Sequence, residues 1–580
     1  MSEKRLLLGD EALALGALHA GLSGVYAYPG TPSTEITEFI QNNPLAKERG
    51  VHSRWCTNEK TAMETALGMS YAGKRALVCM KHVGMNVCAD PFMNAASTGV
   101  NGGLVVLSAD DPSMHSSQNE QDSRFYGKFA MIPFFEPSNQ QEAYDMMADA
   151  FELSEALQLP VLMRFVTRLA HSRAAVTVHE ASEENPFNPD KDLSRWVLIP
   201  LNARRQYAKL VSLQARVEGS AAESKYNWIE NLGTSKKGGT TFRLAAEAPN
   251  LPTAGTPAKR PLGIIAAGIG YNYVKESAPA DIPILKISQY PLPAAQIKVL
   301  AASCEKILVV EDGQPFVEEL VKGILGADYP VIGKLAGRTG DKANTVGRMP
   351  LTGELIDGVL PRMGELTPDS VAAALGVKSG SVYSPAKNVV PRPPQLCQGC
   401  GHRDVFAALG FIANEFPDSR IFGDIGCYAL GFLPPFRALE SCVDMGSAIT
   451  LAKGAADAGM FPVFCVIGDS TFTHSGMTGL LDAVNENSPI TVIISDNFTT
   501  AMTGGQDSAG LNKYEAICLA LGVEREHLHL VVPIPKNMEQ IKNIIRKEMM
   551  YKGVSVIIAQ RECMQTLARK LRSQKKEKDN

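Results

Sequence analysis

At 580 residues, with 45% hydrophobic side chains, the chain is too long for one core and calls for about three or four domains. Lys and Arg (57) nearly balance Asp and Glu (61), and the net charge of −4 gives no long-range field to gather nucleic acid or an anionic membrane. No window approaches the roughly 20 apolar residues that span a bilayer, and MSEKRLLLGDEALALG is too short in its apolar part for a signal peptide. No membrane insertion, no nucleic-acid partner and a cytoplasmic location are therefore expected. Eleven cysteines, scattered and odd in number, argue against a secreted disulfide framework and leave metal or redox use open.

In chain order, residues 1–185 alternate short apolar runs (GVYAYPG, RALVCMK, GGLVVLSADD, LPVLMRF) with helical patterns, which predicts a parallel α/β domain. Thr31-Pro32-Ser33 follows the first of these runs and reads as a helix N-cap followed by an N1 proline. Glu59 stands at the start of a helix whose Ala62, Met63, Ala66 and Met69 form an apolar face. Residues 186–255 are rich in Pro, Asn, Ser and Lys and read as a connecting segment. A second, smaller α/β pattern over 256–375 contains PLGIIAAG, ILKI and KILVVEDG. After the polar stretch 381–395, a third α/β domain within 376–580 has strands near IFGDIG, FPVFCVIGD, ITVIISDN and SVIIAQ. The charged tail KLRSQKKEKDN is expected to fray into solvent.

In VIGDSTFTHSG (466–476) an acid follows a buried strand, at the edge where α/β sheets bind ligands. Twenty-seven residues on, TVIISDN ends in Asp496-Asn497. Neighbouring parallel strands would bring Asp469 and Asn497 together as oxygen ligands that suit Mg²⁺ and, with it, a diphosphate. Gly468 would let the backbone approach the phosphates, with Ser470 beside it. An ordinary turn explains the same residues. The pairing resembles the thiamine diphosphate motif, whose usual form is Gly-Asp-Gly with Asn-Asn. That resemblance implies Asp469, Asn497 and the carbonyl of Thr499 as magnesium ligands, and His474 is expected to face the cofactor. Thiamine chemistry also needs a carboxyl group against the aminopyrimidine, for which Glu59 is the candidate, although a first-turn glutamate is commonly only a dipole partner.

Cys397 and Cys400 supply two thiolates at loop spacing, Cys427 follows another strand, and Cys563 follows SVIIAQ; together they make a four-cysteine set. On spacing alone it suits a 4Fe-4S cluster or tetrahedral zinc. Cys518 competes as fourth ligand, but YEAICLALGV reads as a helix core face. The remaining cysteines (Cys56, Cys79, Cys88, Cys304, Cys442, Cys465) read mostly as core.

YPGTPSTE (28–35), Asn58-Glu59-Lys60, MKHVGMN (80–86), SADDPSMHSSQNEQD (108–122), CQGCGHR (397–403), GDIGCYALG (423–431) and DNFTTAMTGG (496–505) resemble, in the same order, the large alpha-type chain of indolepyruvate:ferredoxin oxidoreductases. The resemblance implies a multidomain thiamine diphosphate-binding α/β fold, with pyrimidine-type and diphosphate-type parallel-sheet domains and a transketolase C-terminal-like α/β domain between them. It implies cofactors thiamine diphosphate, Mg²⁺ and a 4Fe-4S cluster, with the thiamine held between the first and third domains, on one chain or across a dimer interface. It also implies oxidative decarboxylation of a 2-oxo acid, an aryl pyruvate such as indolepyruvate, with coenzyme A. Thr31 would lie against the oxo group, and Cys397, Cys400 and Cys427 would ligate the cluster, with Cys563 fourth. Electrons left by decarboxylation need a one-electron acceptor, which zinc is not. His115 and Arg124 flank a polar segment and are candidates to hold the substrate carboxylate; His402 is expected to brace the cysteine loop. A smaller beta/gamma-type subunit and a dimer of heterodimers follow by the same resemblance. Many such alpha chains end in a ferredoxin-like module with dense cysteine runs; none follows Cys563, so ferredoxin or a separate ferredoxin-like subunit is expected to take the electrons. The alternative is a non-oxidative thiamine decarboxylase or carboligase with structural or zinc-binding cysteines.

Overall fold

Apolar runs ending in Gly, Lys or Asp become the inner strands of three principal sheets. The computed structural model describes residues 3–190, 192–232, 259–335, 358–378, 386, 388–390 and 393–579. The chain divides into two compact units, Met1–Ser384 and Pro385–Asn580. The expected boundary at 255 and much of 381–395 lie outside the described residues.

In the first unit, a seven-stranded sheet runs in the order Gln289–Tyr290, Phe134–Phe135, Val161–Val166, Leu104–Asp110, Ala76–Lys81, Gly24–Ala27, His52–Trp55. Its pairs are parallel except at the Gln289–Tyr290 edge. A five-stranded sheet runs Val331–Ile332, Ile307–Val310, Gly263–Ala267, Ile284–Ile287, Trp228–Glu230, the last antiparallel. Side chains alternate between two apolar layers: Leu77, Cys79, Val105 and Leu107 enter one, and Val78, Met80 and Val106 the other. Both faces of the parallel sheet are therefore covered, which is why its strands read as unbroken apolar runs. The stretch expected as a connector carries helices Pro200–Ser212 and Gln214–Ala222 and the edge strand Trp228–Glu230. It belongs to the packed body because Val217 and Ile229 are buried.

Between the two sheets of this unit lies a buried ion network. Arg164 donates from Nε to Asp110 Oδ2 (2.7 Å), is paired with Glu136, and donates from Nη2 to the Asp312 carbonyl (3.0 Å). Arg124 donates from Nε to Asp122 Oδ1 (2.9 Å), pairs through Nη1 with Glu311 Oε2 (2.9 Å), and reaches the Asp312 and Gln314 carbonyls. Burial raises the Asp122 carboxyl, but Arg124 and Arg164 outweigh it and hold the group at about 2. Burial lifts Glu311 to about 7 in spite of Arg124.

In the second unit, five parallel strands run Arg420–Phe422, Val463–Gly468, Ile490–Asp496, Ser555–Gln560, Leu528–Val531. Phe464 and Val466 point into one apolar layer, and Val463, Cys465 and Ile467 into the other. The tail departs from expectation: Met564–Asp579 is helical, an exposed helix formed from residues of good helix propensity.

Replacing Arg164 by Met would leave Asp110 buried without its arginine and Glu136 with only Arg124, 3.7 Å away. It is expected to destabilise the first unit by about 3–5 kcal/mol. Denaturant unfolding of purified protein measures this; a loss below about 1 kcal/mol would contradict the network's role.

Candidate functional site

Parallel register builds the acidic part of the site. Gly468 lies opposite Ser495 and Asp496 opposite Gln560, so Asp469 leaves its strand beside Asp496. Both are buried. Burial, then the charge of Asp496, pushes the Asp469 carboxyl well above the usual carboxylate range. Asp469 Oδ2 has no hydrogen-bond partner. Asp496 accepts from the Phe498 amide (3.1 Å) and Gln560 Nε2 (2.9 Å). Two facing carboxyl groups with an unpaired buried oxygen suit a divalent cation, which would offset their repulsion. Asn497 Oδ1 accepts from the Thr499 amide (3.1 Å), and Thr499 Oγ1 donates to the Gln506 carbonyl (2.8 Å). Thr500 Oγ1 donates to Ser470 Oγ (2.9 Å).

The residue standing across from Asp469 is thus Asp496, with Asn497 next along. The sequence places the strand's end at Asp496-Asn497 but does not say which of the two faces Asp469. Gly468 has a nearer reason to be glycine than phosphate approach: a β-carbon there would sit 2.5 Å from a ring carbon of Tyr428. His474 is buried and its Nδ1 lies 2.7 Å from Ser475 Oγ.

Immediately beside this edge is a cavity of about 200 Å³ whose lining includes Cys397, Cys400, Cys427, Cys563, Asp496 and Asn497. Cys397 and Cys400 precede helix Gly401–Ala413, Cys427 opens the turn Cys427–Phe432, and Cys563 follows strand Ser555–Gln560. The Cys563 amide donates to the Asn497 carbonyl (3.2 Å), tying the fourth thiol to the acidic edge. Burial, then the neighbouring Cys400, Cys563 and Cys397, pushes the Cys427 thiol up to about 12. Such thiols become thiolates only when an electron-poor centre binds them. Among the described residues no three of these sulfurs lie within 4.8 Å of one another. Tetrahedral zinc with Zn–S near 2.3 Å needs sulfurs about 3.8 Å apart. The wider spread around an open cavity suits a multi-iron cluster better. Cys518 is buried in the apolar layer with Cys465 and does not line the cavity, so it is excluded as the fourth ligand. His402 lines the cavity with its Nε2 3.5 Å from Asn497 Nδ2. Asp424, unassigned from sequence, accepts from the Gly446 (2.9 Å) and Ala448 (3.1 Å) amides and so ties its strand end to the start of helix Ser447–Asp457.

In the first unit, Asn58 caps helix Glu59–Tyr71 by accepting from the Thr61 amide, and Glu59 is buried at its first position. Gly84 makes room for it: a β-carbon on Gly84 would lie 2.6 Å from Glu59 Cγ. The Thr31 expectation changes in detail. The helix begins later, at Thr34, because Ser33 closes a turn on Gly30, its amide and hydroxyl both donating to the Gly30 carbonyl (2.8 Å each). Thr31 is therefore a half-buried turn residue and not a cap. Arg124 and His115 face different surroundings. Arg124 is fully buried and committed to Asp122, Glu311 and two carbonyls, and His115 is exposed with Nε2 3.5 Å from Glu365. Of the cysteines read as core, Cys79, Cys88, Cys304 and Cys465 are buried, whereas Cys56 is half-buried and Cys442 exposed. Among the described residues no helix is long and apolar enough to cross a membrane.

Residues 15–231 match the family described as pyruvate flavodoxin/ferredoxin oxidoreductase, thiamine diP-bdg. Residues 424–559 match the thiamine pyrophosphate enzyme, C-terminal TPP binding domain. The chain is 36% identical over 591 residues to indolepyruvate oxidoreductase subunit IorA of Methanothermobacter thermautotrophicus, covering 97% of this chain and 87% of that one. It is 35% identical over 595 residues to the IorA subunit of Archaeoglobus fulgidus, covering 97% and 86%. A 2-oxoglutarate synthase subunit KorA of M. thermautotrophicus is 29% identical over 187 residues, 31% of this chain and 48% of that one.

Changing Asp469 to Asn removes one of two facing buried carboxyl groups. It is expected to stabilise metal-free protein, because burial and the facing Asp496 disfavour the Asp469 carboxylate. It should also abolish stabilisation by Mg²⁺ with thiamine diphosphate. Thermal unfolding with and without both reads the effect, and an undiminished Mg²⁺ response in the variant would contradict the assignment.

Proposed function

The chain belongs to the family of indolepyruvate oxidoreductase subunit IorA, and from that premise we propose that it catalyses oxidative decarboxylation of an aryl pyruvate with coenzyme A. The balanced reaction is 2-oxo acid plus coenzyme A plus two oxidised acceptors giving acyl-CoA, carbon dioxide, one proton and two reduced one-electron acceptors. The observation that carries this reading is the single cavity shared by four thiols and the Asp496-Asn497 edge. Bound thiamine diphosphate supplies a nucleophilic carbon and an electron sink, and a 4Fe-4S cluster supplies one-electron acceptance.

The chain's own residues divide the remaining work. Asp469, Asn497 and the Thr499 carbonyl hold Mg²⁺, and Ser470 and Gly468 lie along the diphosphate. Asp496, beside Asp469, would add a second negative charge to the metal end. Glu59, steered by the space that Gly84 leaves it, would hydrogen-bond the aminopyrimidine through its carboxyl group. Thr31 meets the oxo group. Cys397, Cys400, Cys427 and Cys563 hold the cluster, and the apolar walls of the cavity, among them Leu396 and Val405, exclude water. Residues 1–185 form the pyrimidine-type domain, 256–375 a transketolase C-terminal-like domain, and 376–580 the diphosphate and cluster domain. A smaller beta/gamma-type subunit completes the enzyme as a dimer of heterodimers, and ferredoxin or a ferredoxin-like subunit receives the electrons. A cytoplasmic location suits eleven free thiols.

Anaerobically purified enzyme is expected to reduce a viologen dye only when given a 2-oxo acid and coenzyme A, faster with aryl than with aliphatic substrates. Cys427→Ser should lose the broad iron–sulfur absorption and at least 100-fold in dye reduction, on the order of the cost of removing a cofactor ligand, while keeping its far-ultraviolet dichroism. Full dye reduction by an iron-free variant would overturn the electron path.

A further inference from the structure

With Arg124 spent on internal carboxylates and His115 turned to Glu365, a different cation is needed for the substrate carboxylate, and Lys81 stands in the right place. It is the last residue of the central strand Ala76–Lys81, at the carboxyl edge where parallel sheets bind ligands. A β-carbon on Gly30 would lie 3.1 Å from Lys81 Cβ, so the lysine stem rests against the turn that carries Thr31. Its Nζ donates to the Ser116 carbonyl (2.5 Å) and lies 3.4 Å from Ser116 Oγ, which in turn is 3.4 Å from the Thr31 carbonyl. Three residues further on, Gly84 abuts Glu59.

Lys81 has no ion-pair partner among the described residues. Asp111 is the acid that acts on it, yet its carboxylate already accepts from the Ser116 amide (2.9 Å), Ser117 Oγ (2.5 Å) and Thr167 Oγ1 (2.9 Å). An ammonium has three donors, and these contacts leave at least one N–H for an incoming anion. We propose that Lys81 Nζ binds the carboxylate of the 2-oxo acid, with Thr31 beside it at the oxo group. The proposal rests on the reading of the chain as a 2-oxo acid oxidoreductase. Burial lowers the Lys81 ammonium to about 8 against the pull of Asp111, so it is charged at neutral pH and loses charge just above it. The titratable groups around it are Asp111, held below the usual range by its hydrogen bonds despite burial; His82, whose Nε2 lies 3.2 Å from the Asn119 carbonyl; and Glu59 beyond Gly84.

The test is calorimetric binding of an aryl pyruvate, and of the aryl acetaldehyde that lacks the carboxylate, to the anaerobic holoenzyme and to its Lys81→Met and Lys81→Arg variants, with dye reduction measured in parallel. Lys81→Met should weaken oxo-acid binding and raise KM on the order of 10–100-fold, the loss of one charged hydrogen bond. Aldehyde binding should be unchanged, and Lys81→Arg should recover most of the affinity. The parent's KM should rise above about pH 8, as Lys81 deprotonates, and that rise should vanish in Lys81→Arg. Equal oxo-acid affinity in parent and Lys81→Met, or equal loss for acid and aldehyde, would overturn the proposal. A parent that binds the acid through Lys81 but reduces no dye would instead overturn the reaction while supporting the carboxylate site.

Discussion

Two carboxyl groups forced together without water are the constraint on which the candidate site depends. Asp469 and Asp496 end adjacent parallel strands whose register is set by apolar side chains on both faces, so neither acid can move away without shifting the core. Without a cation, burial and then the charge of Asp496 hold the Asp469 carboxyl well above the usual carboxylate range. A divalent ion with a phosphate-bearing ligand would resolve the conflict.

The thiols depend on the same edge. Cys563 follows the strand next to Asp496, and its amide is held by the Asn497 carbonyl, so the register that places the acids also places one side of the cysteine cavity. Cys427 enters from the turn after Arg420–Phe422, and Cys397 and Cys400 from the loop before Gly401–Ala413. An electron acceptor held there would share walls with the metal end, which is what a short electron path requires. The buried thiols and the paired acids have in common that both are uncomfortable as bare protein and become satisfied when positively charged inorganic centres bind.

Much of this was legible beforehand, for a definite reason. Runs such as RALVCMK and FPVFCVIGD are buried on both faces, and a strand of that kind announces itself in composition alone. Cys427 and Cys563 stood out because they follow strands, and Cys397 and Cys400 because of their close loop spacing before a helix. Less legible was anything decided by partner choice. Arg124 looks like a loop cation in HSSQNEQDSR, and only the convergence of Asp122, Glu136 and Glu311 from separate segments explains its burial. The helix after Thr31 begins late because a serine hydroxyl prefers the Gly30 carbonyl to a capping role, a competition between two local hydrogen bonds of similar strength. Asp496 was hidden by its neighbour Asn497, since strand period assigns the end of a strand only to within a residue. The polar segment near residue 210 joined the folded body through a few buried positions such as Leu210 and Val217, too sparse to give a strong period.

A metal at Asp469 and a cluster on the four thiols would sit on the same sheet edge of the second unit, which Asp496 and Asn497 share with the cysteine cavity. Anomalous diffraction across the iron edge, from crystals of the anaerobic holoenzyme, tests that union most directly. The expected result is a multi-iron peak enclosed by Cys397, Cys400, Cys427 and Cys563, with a light-atom ion on Asp469. A zinc-edge signal at the thiols, or no metal signal in that cavity, would contradict it.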